Sequence, residues 1–218
     1  MRRTEAEIPV IDVGVLLGGQ PETDGGTTGR AAVGAALDDA CRSYGFFSVI
    51  GHGIDQGLID RLLAHSRAFF ARPEAEKQRI AMPRGGRAWR GWFPIGGELT
   101  SGRPDRKEGL YLGAELGPDD PRVRAGLPLH GPNLFPDESG ELHGGLRGAV
   151  LDYMDACTRL GHELMGGLAL GLGLDEDHFA RELTADPVIL MRLFCYPPAH
   201  DAPDRWGVAE HSDYGLLT

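Results

Sequence analysis

Lysine is nearly missing from this chain: of 22 basic side chains only Lys77 and Lys107 are lysines, set against 32 acidic residues. The resulting net charge of −10 gives no long-range pull toward phosphate backbones or anionic headgroups, so neither nucleic acid nor a membrane surface is expected as a partner. The preference for arginine is read as a compositional habit and carries no function. Cysteine is scarce as well. Cys41, Cys157 and Cys195 are odd in number and far apart, which excludes a disulfide framework and a CxxC metal knuckle; buried free thiols in a reducing cytosol are expected. No apolar run approaches the roughly 18 residues of a membrane span. The apolar start of the chain is broken by Glu5, Glu7 and Asp12, so no secretory signal is read there and a cytoplasmic location is expected. Also missing are a GxSxG elbow for a nucleophilic serine and any Gly-rich phosphate loop after a strand; the glycines at 166, 167 and 171 fall late in a helix instead. Oligomeric state is left open.

What is present is an ordinary globular balance, 41% hydrophobic and 25% charged over 218 residues, enough for one buried core. Ile8 to Val13 reads as an opening strand, followed by a Gly/Thr-rich loop over 18–29. Ala32, Ala36, Leu37, Ala40 and Cys41 recur at helical spacing before Gly45, and Phe46 to Ile50 reads as a strand. A second helix is predicted over about 56–71, with Asp55 as its N-cap and Pro73 opening a short helix beyond it. Residues 83–109 read as loops and short strands, 107–113 as a strand, and 117–140 as too rich in proline for a long element. The longest helical stripe runs from about Leu142 to Leu172, its glycines weakening the later part. Asp175 is placed as the N-cap of a short helix. Strand character returns from Val188 to Tyr196, ends at Pro197-Pro198, and resumes over 208–218. Helices first and strands last give an α+β class with its sheet drawn largely from the C-terminal part.

His211 and Asp213 are the chemistry-bearing pair. On a strand, residues two apart share a face, so an imidazole and a carboxylate can converge on one point. These donors are two-thirds of a 2-His-1-carboxylate facial triad, which holds Fe(II) by three corners and leaves positions open. Alone, the pair has a second reading, a surface histidine hydrogen-bonded to a nearby aspartate.

Its setting is more specific. The tract AEHSDYGLLT over 209–218, preceded by RLFCYPP over 192–198, resembles the metal-binding segment of the isopenicillin N synthase-like family of Fe(II)/2-oxoglutarate-dependent oxygenases. IPVIDV, YGFFSVIGHGI, FFARPEAEK, RGWFPIGGE, DRKEGLYLG and GPNLFP also fall in that family's order along the chain.

The resemblance implies a distorted double-stranded β-helix, or jelly-roll, core flanked by the N-terminal helices and the long helix. Residues 1–135 would be the dioxygenase N-terminal region, and 136–218 the long helix and first strands of the oxygenase core. It implies Fe(II), 2-oxoglutarate as cosubstrate and O2, and hydroxylation of a small-molecule substrate with release of succinate and CO2. His211 and Asp213 match two iron ligands. Tyr196 matches a tyrosine whose hydroxyl holds a carboxylate of 2-oxoglutarate, with core packing as its other reading. Arg192 sits at the family's basic position, where a supporting role stands beside a substrate contact. Phe194 replaces an asparagine of several members. Trp89, Trp92 and Phe93 either line a substrate mouth or anchor packing. His52 is read as structural, and His200 is not promoted to a third ligand.

The family pattern also asks for a distal histidine and an Arg-x-Ser pair after the His-x-Asp. Leu216-Leu217-Thr218 stands inside an apolar run, so a cut chain is expected: inactive by itself, with an exposed sheet edge and poor solubility. The alternative is a non-catalytic binding or structural module that keeps the fold.

Overall fold

The structure is a computed structural model that describes residues 7–18, 26–137, 145–198, 207–213 and 215–218, with side chains described from residue 29 onward in the first helix. The expected Gly/Thr-rich loop over 18–29 and the loop at 199–206, including His200, lie largely outside the described residues. The chain forms two compact units that interleave in sequence. One comprises residues 1–55 and 156–187, the other 56–155 and 188–218.

In the first unit, β1 (Val10–Asp12) pairs in parallel with β2 (Ser48–Ile50), joined through α1 (Gly26–Ser43). Ile11, Val13, Leu16, Leu37, Ala40 and Leu164 form its core. Leu164 comes from the later part of α5 (Gly145–Gly171), the longest helix. The glycines there do not end that helix, and the reason is packing. A Cβ on Gly34 of α1 would come within 2.6 Å of the Gly167 carbonyl oxygen, and one on Gly167 within 2.8 Å of Leu16. Missing side chains let the two helices approach backbone to backbone, and the contact offsets the low helix propensity of glycine. Arg30 ties the unit together, donating to the carbonyls of Val15 and Leu16 and pairing with Glu163 and Glu176.

Past α5, the short α6 (His178–Glu182) is preceded by Asp177 rather than Asp175 at its N-cap. Asp175 instead faces Arg181 at 3.5 Å. The thiol expectation is corrected as well: Cys41 is exposed and the other two cysteines are half-buried.

In the second unit, α2 (Gln56–Phe70) and α3 (Glu74–Lys77) lead to a three-stranded antiparallel sheet of order β3-β6-β7, formed by Gly91–Phe93, Glu108–Gly113 and Leu190–Cys195. A small hairpin, β4 (Leu99–Thr100) with β5 (Arg103–Pro104), interrupts β3 and β6. Among its described residues, the proline-rich stretch holds one helix, α4 (Pro121–Arg124). Only β7 of this sheet comes from the C-terminal part. The middle of the chain supplies the other two strands, because 91–93 and 108–113 carry their own apolar alternation.

That alternation sorts the faces. Trp92, Leu110, Leu112, Met191 and Leu193 turn toward a core with Leu62, Phe69, Leu146 and Val150. Under the same face lies a buried ion pair. Lys77 Nζ donates to Glu108 at 2.7 Å, and Trp92 Nε1 donates to the same carboxylate oxygen at 2.8 Å.

Residues 207–213 and 215–218 do not form the expected strand. No described residue pairs with them in a ladder, and a strand without a partner leaves its backbone groups unsatisfied. They run as bends and irregular backbone.

Candidate metal and substrate site

The opposite face of the three-stranded sheet carries Phe93, Tyr111, Arg192, Phe194 and Tyr196. Register puts Tyr111 directly across from Arg192 and Gly109 across from Phe194. Cross-strand neighbours of this kind touch. The Arg192 guanidinium lies 5.7 Å from the Tyr111 ring centre and 5.2 Å from that of Phe194. Phe194 stands edge-on to Phe93 at 6.4 Å and to Tyr196 at 6.0 Å. Gly109 leaves the space that this aromatic cluster fills: a Cβ there would lie 2.5 Å from the Phe93 ring and 2.8 Å from Phe194.

A polar network rims the cluster. The Tyr111 hydroxyl donates to Glu98, while the Arg192 guanidinium lies over the Tyr111 ring. Burial and the Glu98 hydrogen bond push the Tyr111 phenol up to about 12, so it stays protonated. Lys107 donates to Asp105 at 3.0 Å and pairs with Glu98 at 3.1 Å. Burial pulls Lys107 down, yet the Asp105 and Glu98 carboxylates outweigh it and hold the ammonium above the ordinary lysine value. Asp105 also accepts from Thr100, which locks the β4–β5 hairpin against the sheet. The sequence reading missed Glu98, Lys107 and Tyr111. The alternation of KEGLYLG was the available signal, since it sets Gly109 and Tyr111 on one face.

His211 and Asp213 lie on the irregular segment, each close to half exposed. His211 Nε2 is 3.2 Å from Asp213 Oδ1, and His211 Nδ1 is 2.9 Å from the Ala209 carbonyl oxygen. Both neighbours are acceptors. The Ala209 carbonyl only accepts, so the ring N–H that faces it is on Nδ1. Asp213 also only accepts, so a positive charge lies between it and Nε2: either the second N–H of a protonated imidazole, which is the surface-pair reading, or a metal cation. At metal–ligand lengths of about 2.1 Å, two adjacent octahedral positions are separated by about 3.0 Å, and the observed 3.2 Å suits both that arrangement and a direct N–H···O contact. Donation of the remote ring N–H to a carbonyl is also how metal-bound histidines are oriented. The donor types, imidazole nitrogen and carboxylate oxygen, suit Fe(II). Among the described residues no third His, Cys, Asp or Glu joins them.

The remaining expected residues fall as follows. Tyr196 is 48% exposed and sits against Gly207, whose Cβ would lie 2.9 Å from its ring, so the chain returns across this tyrosine before reaching His211. Trp92 is corrected: it is 2% exposed, faces the core and lines no mouth, because the period-2 alternation of β3 sends it to the opposite side from Phe93. Phe93 belongs to the aromatic face, itself buried beneath the hairpin turn at Gly97. Trp89 is exposed and holds a positive φ of 56°. His52 accepts the Ile54 N–H at Nδ1, a turn-forming role.

Residues 8–138 match the family described as "non-haem dioxygenase in morphine synthesis N-terminal". Over 233 aligned residues the chain is 42% identical to a probable iron/ascorbate oxidoreductase of Dictyostelium discoideum, covering 99% of this chain and 63% of that protein. It is 35% identical to a homoarginine-6-hydroxylase of Arabidopsis thaliana, covering 97% and 63%. Among solved structures, a full-length Neurospora crassa protein crystallised in complex with alpha-KG superposes with a TM-score of 0.76 at 25% identity, covering 99% of this chain and 63% of that one. The chain thus spans somewhat under two thirds of the length of these relatives. It belongs to the non-haem dioxygenase family of Fe(II)- and 2-oxoglutarate-dependent oxygenases.

Proposed function

We propose that the protein is an Fe(II)- and 2-oxoglutarate-dependent oxygenase that hydroxylates a small molecule, releasing succinate and CO2, within a jelly-roll core. His211 and Asp213 supply two of the three protein ligands. Tyr196 holds a carboxylate of 2-oxoglutarate through its exposed hydroxyl, and Arg192 faces the substrate beside Phe93 and Phe194. The observation that carries this reading is the pairing of His211 Nε2 with Asp213 Oδ1 at 3.2 Å while Nδ1 is engaged by Ala209. When bound, Fe(II) with 2-oxoglutarate supplies oxygen activation.

The chain's own residues do the rest. The Ala209 carbonyl fixes the imidazole orientation, so the Nε2 lone pair is aimed rather than free to rotate. The rings of Phe194 and Tyr196, backed by the buried Phe93, shield the face from water and orient a bound molecule. Arg192, stacked on two rings, presents its in-plane N–H groups to an anionic or carbonyl oxygen. The relative named for hydroxylating homoarginine is consistent with a small polar substrate.

The test is 2-oxoglutarate-dependent succinate release with Fe(II), across a panel of small-molecule acids and natural-product scaffolds, on protein carrying all its encoded residues. Release that is lost in His211→Ala and Asp213→Ala supports the reading. Release unchanged in either variant contradicts it.

A further inference from the structure

The β6–β7 ladder ends at Glu108 and Cys195. Next come Tyr196 and then Pro197 and Pro198, which carry no N–H that could extend a ladder. Two contacts fasten the chain past that point. The Arg106 guanidinium, just before β6, donates to the Pro198 carbonyl at 2.7 Å. Gly207 lies against the Tyr196 ring, where a Cβ would come 2.9 Å from Cδ1 and 3.1 Å from Cε1. His211 and Asp213 follow shortly after Gly207.

We propose that Arg106 and Gly207 are positioning residues that set the distance between the Tyr196 hydroxyl and the His211–Asp213 pair, and through it the affinity for 2-oxoglutarate. This rests on the reading above, in which 2-oxoglutarate is held both at the metal and by Tyr196.

The argument from Gly207 is steric. Its φ lies outside the left-handed region, so no turn demands a glycine there, and the missing Cβ serves the contact with the ring. Non-bonded carbons settle at about 3.5–4.0 Å. A methyl group 2.9 Å from Cδ1 must therefore move the ring or the segment by about 0.6 Å. Phe194 meets the same ring edge-on at 6.0 Å, so the ring is located by two neighbours. Whichever part moves, the separation between the tyrosine and the ligand pair changes. A molecule of fixed covalent length gripped at both ends feels that change, and displacements of about 1 Å cost about 100-fold in a positioned complex. A metal ion held by His211 and Asp213 does not feel it, because their 3.2 Å contact and the Ala209 carbonyl lie within one short segment and travel together.

The argument from Arg106 is one of order. Where the proline pair ends the backbone ladder, a side chain supplies the donor instead. A charged N–H holds a carbonyl more firmly than a neutral one. Arg106 is rooted beside the strand that pairs with β7, so its bond refers the departing chain to the same sheet that carries Tyr196.

The test uses protein carrying all its encoded residues, loaded with Co(II). Calorimetry reads 2-oxoglutarate affinity, and NMR reads the shift that paramagnetic Co(II) imposes on the Tyr196 ring, which falls steeply with distance and needs no turnover. Gly207→Ala is expected to weaken 2-oxoglutarate about 10- to 100-fold, to displace the Tyr196 shift and to leave Co(II) affinity unchanged. In a Tyr196→Phe background the same substitution is expected to cost 2-oxoglutarate nothing further, since the hydroxyl through which it acts is gone. Arg106→Met, which keeps the aliphatic stem, is expected to weaken 2-oxoglutarate about 10-fold and to diminish the Tyr196 shift. Arg106→Lys, which keeps a donor, is expected to restore most of both. Unchanged 2-oxoglutarate affinity in Gly207→Ala, an equal loss with and without the Tyr196 hydroxyl, or a Tyr196 shift indifferent to both substitutions overturns the proposal. A parallel loss of Co(II) affinity marks a merely structural role and overturns it too. Failure of the cosubstrate reading has a different signature: 2-oxoglutarate then binds none of these proteins, while the Tyr196 shift still responds to both substitutions and leaves the positioning in place.

Discussion

The three-stranded sheet and the segment from 207 onward carry the two halves of the proposed chemistry, and they are held in opposite ways. On the sheet the charged groups are fixed by several neighbours: Glu108 by Lys77 and Trp92, Lys107 by Glu98 and Asp105, Arg192 by the Tyr111 and Phe194 rings. His211 and Asp213 are close to half exposed, and they meet each other and the Ala209 carbonyl. The sheet invests its polar contacts in stability as well as in recognition. The proposed ligand pair, half exposed and on an irregular segment, contributes little to the fold.

That contrast can be broken by mutation. The largest effect is expected on the core side of the sheet. Glu108→Ala removes one partner of a buried ion pair and strands Lys77, costing about 3–5 kcal/mol by denaturant unfolding; a loss below about 1 kcal/mol would erase the distinction. On the substrate face, Gly109→Ala drives a methyl group into the Phe93 and Phe194 rings. A loss of about 1–3 kcal/mol is expected, readable as a lower thermal midpoint.

The third effect is sensitive to pH. Tyr111 has its folded value raised to about 12 from an ordinary 10. A raised group stabilises fully below its unfolded value and stops doing so as pH climbs through the folded one, so this contribution is lost between about pH 10 and 12. It amounts to about 1–3 kcal/mol. Lys107, also raised, acts in the same sense over its own alkaline range. Tyr111→Phe should flatten the alkaline fall in stability in that window, and an unchanged slope would show that the phenol is not so held. The smallest effect belongs to the ligand pair. His211→Ala and Asp213→Ala are each expected to change stability by no more than about 0.5 kcal/mol, and a larger loss would mean that the segment is part of the core.

Elements with a self-contained period were legible in the sequence. The second helix, predicted over about 56–71, spans Gln56–Phe70, and the strand read at 107–113 spans Glu108–Gly113, since each carries its own apolar repeat. The long helix was legible in position but misjudged in strength. The glycines that weaken it locally are what admit the first helix at Gly34, a contact between residues about 130 positions apart. Asp175 lost the cap to Asp177 because both fit the local pattern and only backbone geometry distinguishes them. The late strand failed for a different reason: alternation over 208–218 states which face each residue would take but supplies no partner strand. Of the site, His211 with Asp213, Arg192 and Tyr196 could be named from their motifs. Tyr111 could not, because it is set across from Arg192, about eighty residues away, only once β6 and β7 pair in register, and Glu98 is placed only through its contact with Tyr111. Trp92 was ambiguous until β3 set which of two adjacent aromatics faces the core.

The central claim is that His211 and Asp213 share one divalent metal ion. It is tested most directly by anaerobic titration with Co(II), a spectroscopic stand-in for Fe(II), following its visible ligand-field absorption in the unsubstituted protein, His211→Ala and Asp213→Ala. The account predicts saturable binding that weakens by at least about 100-fold in each variant while the melting curve stays in place. Equal Co(II) affinity in all three proteins would contradict it.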